Sequence, residues 1–126
     1  KNGVVYIAPG GKHMRVVKKG TDYCIKLSDE PAIDGLRPCA NVMYESLENC
    51  QYDEITCVVL TGMGADGTKG IQGLAAHHKK LHVIAQDADT CVVYGMPKAI
   101  AQTGLVDEVV PLGSVAETIT KNVGVS

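Results

Sequence analysis

Hydrophobic and polar positions follow two different rhythms in the two halves of the chain. In the first half, residues 13–18 and 23–27 alternate between apolar and polar positions on either side of a Lys-Gly-Thr-Asp turn. This pattern predicts an antiparallel hairpin with one face in water. The apolar run at 4–8, which a Pro-Gly-Gly turn closes, predicts another strand. Residues 28–36 are rich in Asp, Pro and Gly and are predicted to form a loop.

The second half alternates between short apolar runs and amphipathic stretches. Before this second half, a helix is predicted to begin near Pro38. The apolar face of this helix consists of Val42, Met43, Leu47 and Cys50. Residues 55–61 are almost continuously apolar, as expected of a strand that is covered on both faces. The later predicted elements are a helix at 66–78, a strand at 81–85, a helix at 96–103, a strand at 106–110 and a last helix at 114–123, capped by Ser114.

This alternation of strands and helices predicts the fold class. Short links between them favour a parallel sheet with right-handed crossovers. We therefore expect one domain over residues 1–126 with an α/β fold of the Rossmann-like, doubly wound type. It would have a mostly parallel sheet, helices on both faces and one β-hairpin. The chain lacks Trp and Phe, and its many Val and Ile side chains suit a buried sheet.

Composition excludes several classes of partner. The formal net charge of −2 gives no electrostatic case for binding nucleic acid or an anionic membrane. No apolar run approaches the ~18–20 residues of a membrane span. We therefore expect no nucleic-acid partner and no membrane insertion.

Cysteine and histidine usage gives no metal-binding pattern. The five cysteines are odd in number and contain no C-x-x-C pair, which favours reduced, mostly buried thiols in a cytoplasmic protein. His77, His78 and His82 lie beside Lys79 and Lys80, a combination typical of a solvated helix end, and no carboxylate is placed to complete a site. We expect neither a metal nor a cofactor.

The glycine-rich turn after residues 55–61 is the most informative local segment. Gly62, Gly64 and Gly67 match G-x-G-x-x-G, and Asp87 follows the next predicted strand, as in a dinucleotide-binding fingerprint. Asp66 argues against that interpretation, because its carboxylate would repel the pyrophosphate.

A second interpretation makes Asp66 the functional charge. A carboxylate beside a histidine orients the ring and stabilises the imidazolium form. The backbone N–H groups of Met63 and Gly64 would then donate to a developing oxyanion. A third interpretation is that Asp66 only caps its own helix. The local residues leave all three open.

Six segments spread over nearly the whole chain occur together in one known family. They are V-Y-I-A-P-G (5–10) with K-H-M (12–14), R-P (37–38), V-L-T-G-M-G (59–64) with D-G (66–67), A-Q-D (85–87), C-V-V-Y-G-M-P (91–97) and V-V-P-L (109–112). In these segments the chain resembles the catalytic domain of the chemotaxis protein-glutamate methylesterases, the CheB family.

The resemblance implies a serine hydrolase. Family members hydrolyse methyl esters of glutamate on methylated chemoreceptors, and often deamidate receptor glutamines. The family's Ser-His-Asp triad has its aspartate at the position of Asp66, with Met63 and Gly64 in the oxyanion region, so these three are the predicted catalytic-site residues. In such a triad serine attacks the carbonyl, histidine moves the proton and the acid fixes the histidine tautomer.

The chain departs from the family at its start. The family's serine and histidine precede the Y-I-A-P-G segment, which begins here at residue 6. Ser28, Ser46, Ser114 and Ser126 lie in no nucleophile elbow. We expect the C-terminal part of a methylesterase domain, without the family's N-terminal strands and inactive alone. The alternative is a non-enzymatic nucleotide-binding or protein-interaction module that uses the Gly62–Gly67 loop.

Four further expectations concern the surface. Cys39 and Asn41 depart from the family's usual H-R-P-S-x-D segment, which affects local substrate contacts. His13 is expected near the active-site rim, with a surface hydrogen bond as the alternative. The loop at 28–36 is expected to be mobile and able to contact a protein substrate. An apolar sheet edge or face left open by the absent strands predicts self-association into a homo-oligomer.

Overall fold

Regular elements follow one another in nearly the predicted order. The computed structural model describes residues 2–77 and 79–124. Its elements are β1 (His13–Lys19), β2 (Asp22–Ser28), α1 (Ala40–Ser46), β3 (Ile55–Val59), α2 (Thr68–Ala76), β4 (Leu81–Gln86), α3 (Met96–Ala101), β5 (Glu108–Val110) and α4 (Leu112–Val123).

A parallel sheet in the order β3-β4-β5 forms the centre of the fold. In β4 the four consecutive residues from Val83 to Gln86 are all buried. Because successive strand residues point to opposite faces, both faces of the sheet must be covered. The predicted α/β class with helices on both faces is confirmed.

The two faces of the sheet pack against different helices. Cys57 and Val83 are paired across β3 and β4, and they share one apolar cluster with Leu47, Ile71 and Ile100, next to or within α1, α2 and α3. The opposite face of β4 carries Ile84 and Gln86, and α4 contacts this strand. Because the strands are parallel, the carboxyl ends of all three lie at one edge of the sheet.

The hairpin β1–β2 packs beside α1. Its register pairs His13 with Ser28 and Lys19 with Asp22, so the predicted hairpin is confirmed. The N–H of Val16 donates to Ser46 Oγ at 2.9 Å, and this bond attaches β1 to the end of α1.

The predicted strand at 4–8 is wrong. These residues have no regular structure, and the side chains of Val5 and Ile7 are each 87% exposed. An extended segment needs a neighbouring strand to satisfy its backbone groups. Within the described residues no strand pairs with it.

Several predicted helix boundaries also shift. Pro38 precedes α1 instead of lying in its first turn, because Cys39 is the N-cap. The N-cap of α4 is Pro111, so Ser114 lies inside the helix. The predicted end of α2 at His78 lies outside the described residues. Among those residues, no helix is long and apolar enough for a bilayer crossing.

The close crossing of α1 and α2 yields a stability prediction. A Cβ atom added at Gly70 would lie 2.6 Å from Tyr44 Cβ and 3.1 Å from Asn41 Cα. We expect Gly70→Ala to lower the free energy of unfolding by about 1–3 kcal/mol, measured by urea denaturation, because the helices must move apart.

The matched control is Gly113→Ala in α4, where an added Cβ would meet nothing within 4 Å. This change should raise the free energy of unfolding by up to about 1 kcal/mol, since Ala is the better helix former. Equal effects of the two substitutions would contradict the tight crossing.

Candidate functional site

Asp66 lies between β3 and α2, but its side chain binds the start of α1. The carboxylate accepts hydrogen bonds from the Cys39 thiol at 3.2 Å, from the Ala40 N–H at 2.7 Å and from the Asn41 N–H at 3.0 Å. These donors belong to the N-cap and first turn of α1. The interpretation that Asp66 only caps its own helix is therefore wrong: Asp66 caps a different helix, because the fold brings the two N-termini together.

The two oxygens of this carboxylate are unequally used. Oδ1 accepts from Cys39 and Asn41, whereas Oδ2 accepts only from Ala40. A carboxylate offers about four lone-pair positions. Within the described residues, one position on Oδ2 is therefore available for another donor.

Two adjoining clefts meet at Asp66. The first, of about 500 Å³, is lined by Met63 and Gly64 and by the tip of the 28–36 loop. The second, of about 300 Å³, is mainly apolar and is lined by Met14 and Met43. Cys39 and Asp66 line both. The three predicted site residues thus lie together at the first cleft.

The start of α2 is in turn capped by a side chain from α1, that of Asn41. Asn41 Oδ1 accepts hydrogen bonds from the N–H groups of Gly67 at 2.9 Å and Gly70 at 2.8 Å. From the sequence, Asn41 is notable only as a departure from a motif. Its side chain pairs with residues 26 and 29 positions away, which no local pattern shows.

The turn that carries Met63 and Gly64 is anchored on both sides. Gly62 N–H donates to the Val93 carbonyl at 3.0 Å, and the Gly62 carbonyl accepts from Met96 N–H at 2.9 Å. Gly64 has a φ of +84°, a conformation that glycine adopts without strain. In the described part of the chain, the N–H groups of Met63 and Gly64 have no hydrogen-bond acceptor.

The buried Gln86 side chain connects this turn to Thr90 by hydrogen bonds, a role that was not predicted from the sequence. It is 1% exposed, its Oε1 accepts from Thr61 N–H at 2.8 Å and its Nε2 donates to the Thr90 carbonyl at 2.8 Å. A glutamine directly after the apolar residues 83–85 of a predicted buried strand is the signal that could have found it. Asp87 accepts from the N–H and hydroxyl of Thr90, so its carboxylate is engaged in its own turn.

The loop at 28–36, expected to be mobile, is tied to the hairpin. Asp29 pairs with Lys12 at 2.5 Å and Glu30 pairs with Arg15 at 2.7 Å. The Lys12 bond lowers the pKa of Asp29, and hydrogen bonds from Ser28 and then Arg15 lower the pKa of Glu30. Arg37 donates to the Asp29 carbonyl at 3.1 Å. These contacts attach the loop to β1 and its flanking residues, and the mobility of the loop stays a prediction.

The tip of this loop is a two-residue hairpin. Ile33 and Leu36 exchange backbone hydrogen bonds of 3.0 and 2.9 Å, and Asp34 and Gly35 between them both have positive φ. That geometry matches a type I′ turn, for which Asp-Gly is a strong sequence signal. This turn was not among the elements predicted from the sequence. This small hairpin at the tip of the 28–36 loop forms one wall of the first cleft.

None of the three histidines that the structure describes hydrogen-bonds to Asp66. His13 is 1% exposed, and its Nε2 bonds to the Pro31 carbonyl at 2.9 Å, so the alternative of a surface hydrogen bond is wrong, and a place near the active-site rim stays a prediction. His82 Nε2 bonds to Glu108 at 2.7 Å near the amino end of β4. This bond lowers the pKa of Glu108. His77 lies 3.5 Å from Glu48, and His78 is outside the described residues.

Cysteine reactivity tests the environment of the Asp66 carboxylate. Burial and the hydrogen bond to Asp66 raise the pKa of the Cys39 thiol, and burial raises that of Cys57 to about 12. Cys24 and Cys91 are partly exposed. We expect iodoacetamide near neutral pH to label Cys24 and Cys91 well before Cys39, as measured by peptide mass spectrometry.

The Asp66→Asn variant provides the comparison for this labelling. Removing the neighbouring negative charge favours the Cys39 thiolate, so its labelling should become faster while that of Cys57 changes little. Labelling of Cys39 at the rate of Cys91 in the unaltered chain would contradict the described geometry.

Comparison with known proteins gives a consistent result. The family model described as CheB methylesterase matches residues 1–119. A protein named protein-glutamate methylesterase/protein-glutamine glutaminase from Desulfotalea psychrophila is 44% identical over 123 residues, which cover 96% of this chain and 33% of that protein. Its namesake from Oceanobacillus iheyensis is 43% identical over 122 residues, 96% of this chain and 34% of that protein.

A solved structure agrees with these relatives. The chain superposes on the crystal structure of the Thermotoga maritima CheB methylesterase catalytic domain with a TM-score of 0.83 and 33% identity. The match covers 92% of this chain and 60% of that one. The chain spans about a third of the length of the curated relatives that it matches.

Proposed function

Because the chain belongs to the CheB methylesterase family, we propose that it supplies the acid and the oxyanion-binding turn of a protein-glutamate methylesterase. The observation that carries this proposal is the position of Asp66. Its carboxylate is fixed by three donors, lines two clefts and keeps one acceptor position on Oδ2. A triad acid needs that combination of fixed orientation and an acceptor position that the histidine can use.

The proposed role of Asp66 is to orient a histidine. Oδ2 accepts the Nδ1–H of an imidazole that enters one of the clefts, which leaves Nε2 free to take the proton of a serine hydroxyl. When the ring becomes imidazolium, the fixed carboxylate stabilises its charge without rearrangement. The serine and the histidine come from polypeptide outside these 126 residues, so the chain alone is inactive.

The proposed oxyanion donors are the N–H groups of Met63 and Gly64. The anchored turn holds them at the first cleft with no acceptor in the described residues. When the serine oxygen adds to the ester carbonyl carbon, negative charge develops on the carbonyl oxygen. The N–H groups of Met63 and Gly64 then donate hydrogen bonds to that oxygen. A single donor of this kind typically contributes about 10²–10³-fold to kcat.

The proposed substrate is a glutamate methyl ester on a chemoreceptor, with methanol as the leaving group. The relatives are named for glutaminase as well as methylesterase activity. Attack on a glutamine side chain would use the same groups and release ammonia. A cytoplasmic location agrees with five free cysteines. No metal or cofactor takes part in this scheme.

The alternative of a nucleotide-binding module has less support. The N–H groups of Gly67 and Gly70, which would cradle a phosphate at the start of α2, already donate to Asn41. Asp66 adds a negative charge at the same turn. A nucleotide phosphate would have to displace the Asn41 side chain from these N–H groups and lie close to the negative charge of Asp66.

Asp66→Asn tests the proposed function. In the natural polypeptide that contains these residues, we expect kcat for hydrolysis of a methyl-labelled receptor to fall by about 10³–10⁴-fold with little change in KM, because an amide cannot select the productive histidine tautomer. Released methanol is the measured product. The 126-residue chain alone should release none.

Asp107→Asn is the matched control, since Asp107 Oδ2 also accepts a backbone N–H, from Val83 at 2.7 Å, but at the amino end of the sheet. It should retain the activity of the unaltered enzyme. An Asp66→Asn enzyme that is as active as this control would refute the assignment.

The exposed segment at 4–8 supports the proposal of self-association. Val5 and Ile7 are each 87% exposed. We propose that this segment pairs with the same segment of a second copy. Sedimentation of the 126-residue chain should show a concentration-dependent dimer that the Val5→Lys, Ile7→Lys double variant loses.

The control for this dimer is Val109→Lys, which changes a 58% exposed valine of β5 and should leave the dimer intact. A monomer at all concentrations would rule out self-association. Loss of the dimer in the Val109 variant would place the contact elsewhere.

A further inference from the structure

We propose that Asn41 is a positioning residue for the hydrolytic site and acts through a reciprocal cap between α1 and α2. The reciprocal cap consists of the Asp66 carboxylate on the start of α1 and the Asn41 side chain on the start of α2. The inference rests on the proposed function of Asp66 and adds a residue that controls it.

The bonds of the reciprocal cap close a ring. The Asn41 N–H donates to Asp66 Oδ1 at 3.0 Å, while Asn41 Oδ1 accepts at 2.9 Å from Gly67, the residue that follows Asp66. Asn41 therefore holds both the side chain of Asp66 and the backbone beside it. A shift of either helix start must displace the other.

Close packing leaves this ring little freedom. At the helix crossing, a Cβ added to Gly70 would lie 3.1 Å from Asn41 Cα, and the Gly70 N–H is bonded to Asn41 Oδ1 at 2.8 Å. The backbones of the two helices thus approach each other at the residue that makes the cap. The orientation of Asp66 Oδ2 is then set by this contact as well as by the local turn.

The chemistry of the side chain fits the role. Two backbone N–H donors identify the atom that they share as the amide oxygen, and an amide is neutral. Asn41 therefore caps α2 without placing a second negative charge next to Asp66. Aspartate at this position would keep the acceptor and add that charge, whereas alanine would remove the acceptor.

Amide hydrogen exchange of the 126-residue chain separates positioning from simple capping. In Asn41→Ala, the N–H groups of Gly67 and Gly70 lose their acceptor and should exchange at least about tenfold faster. The diagnostic group is Ala40 N–H, whose acceptor is Asp66 and not Asn41. We expect it also to exchange at least about tenfold faster, because Asp66 is released.

The variants Asn41→Asp and Asn122→Ala complete this experiment. Asn41→Asp retains the acceptor and should restore protection of Ala40. Asn122 bonds Glu108 and the Thr118 carbonyl in α4, so its loss should leave Ala40 protected. Unchanged Ala40 exchange in Asn41→Ala would overturn the inference, since Asn41 would then be only a cap of α2.

Kinetics of the natural polypeptide give the second measurement. Asn41→Ala should lower kcat by about 10–100-fold with KM nearly unchanged, as expected when a catalytic group is displaced by less than about 1 Å. Asn41→Asp should recover most of kcat and move the acid limb of the pH profile of kcat/KM to higher pH. The added negative charge stabilises the imidazolium form, so the histidine loses its proton at higher pH.

The outcomes distinguish the two proposals. If Asp66→Asn leaves hydrolysis intact, the proposed function fails whatever the exchange data show. If Asp66→Asn abolishes hydrolysis but Asn41→Ala leaves kcat unchanged, only the positioning role fails.

Discussion

The hydrogen bonds from the start of α1 to the Asp66 carboxylate are the contact on which the site depends. They satisfy backbone N–H groups that a helix start leaves unpaired, and they join the segment after β3 to a helix from the first half of the chain. Since the thiol of Cys39 and two backbone groups share the carboxylate, its orientation follows from the helix position. Cys39 and Asp66, two members of this contact, line both clefts.

The remaining features of the site lie at the carboxyl ends of the parallel strands. The anchored turn at Gly62, the Gln86 side chain and the 91–95 segment meet there, as expected for open α/β sheets, whose ligands bind at that edge. At the opposite edge, His82 and Glu108 connect β4 to β5, and Asn122 of α4 joins them. Among the described residues, the N–H groups of Met63 and Gly64 that lack an acceptor therefore lie at the carboxyl end of the sheet.

The hydrophobic and polar pattern of the sequence predicted those elements that depend only on neighbouring residues. The alternating hairpin and the continuous strand β3 follow from side-chain periodicity alone, and the Asp34-Gly35 turn was equally visible but overlooked. The prediction of a strand at 4–8 was wrong because a strand forms only where a neighbouring strand pairs with it. Asp66 and the turn at Met63 were identified as candidates, yet the helix that Asp66 caps lies 26 positions earlier, and that pairing depends on how α1 and α2 pack.

The most direct test of the account is the distance from Asp66 Oδ2 to the nearest imidazole nitrogen in a crystal structure of the natural polypeptide. The account predicts a histidine nitrogen within about 2.6–3.2 Å, with the bonds from Ala40 and Asn41 still in place. A structure in which the active-site histidine contacts a different acid, and Asp66 Oδ2 faces only its α1 donors, would contradict it.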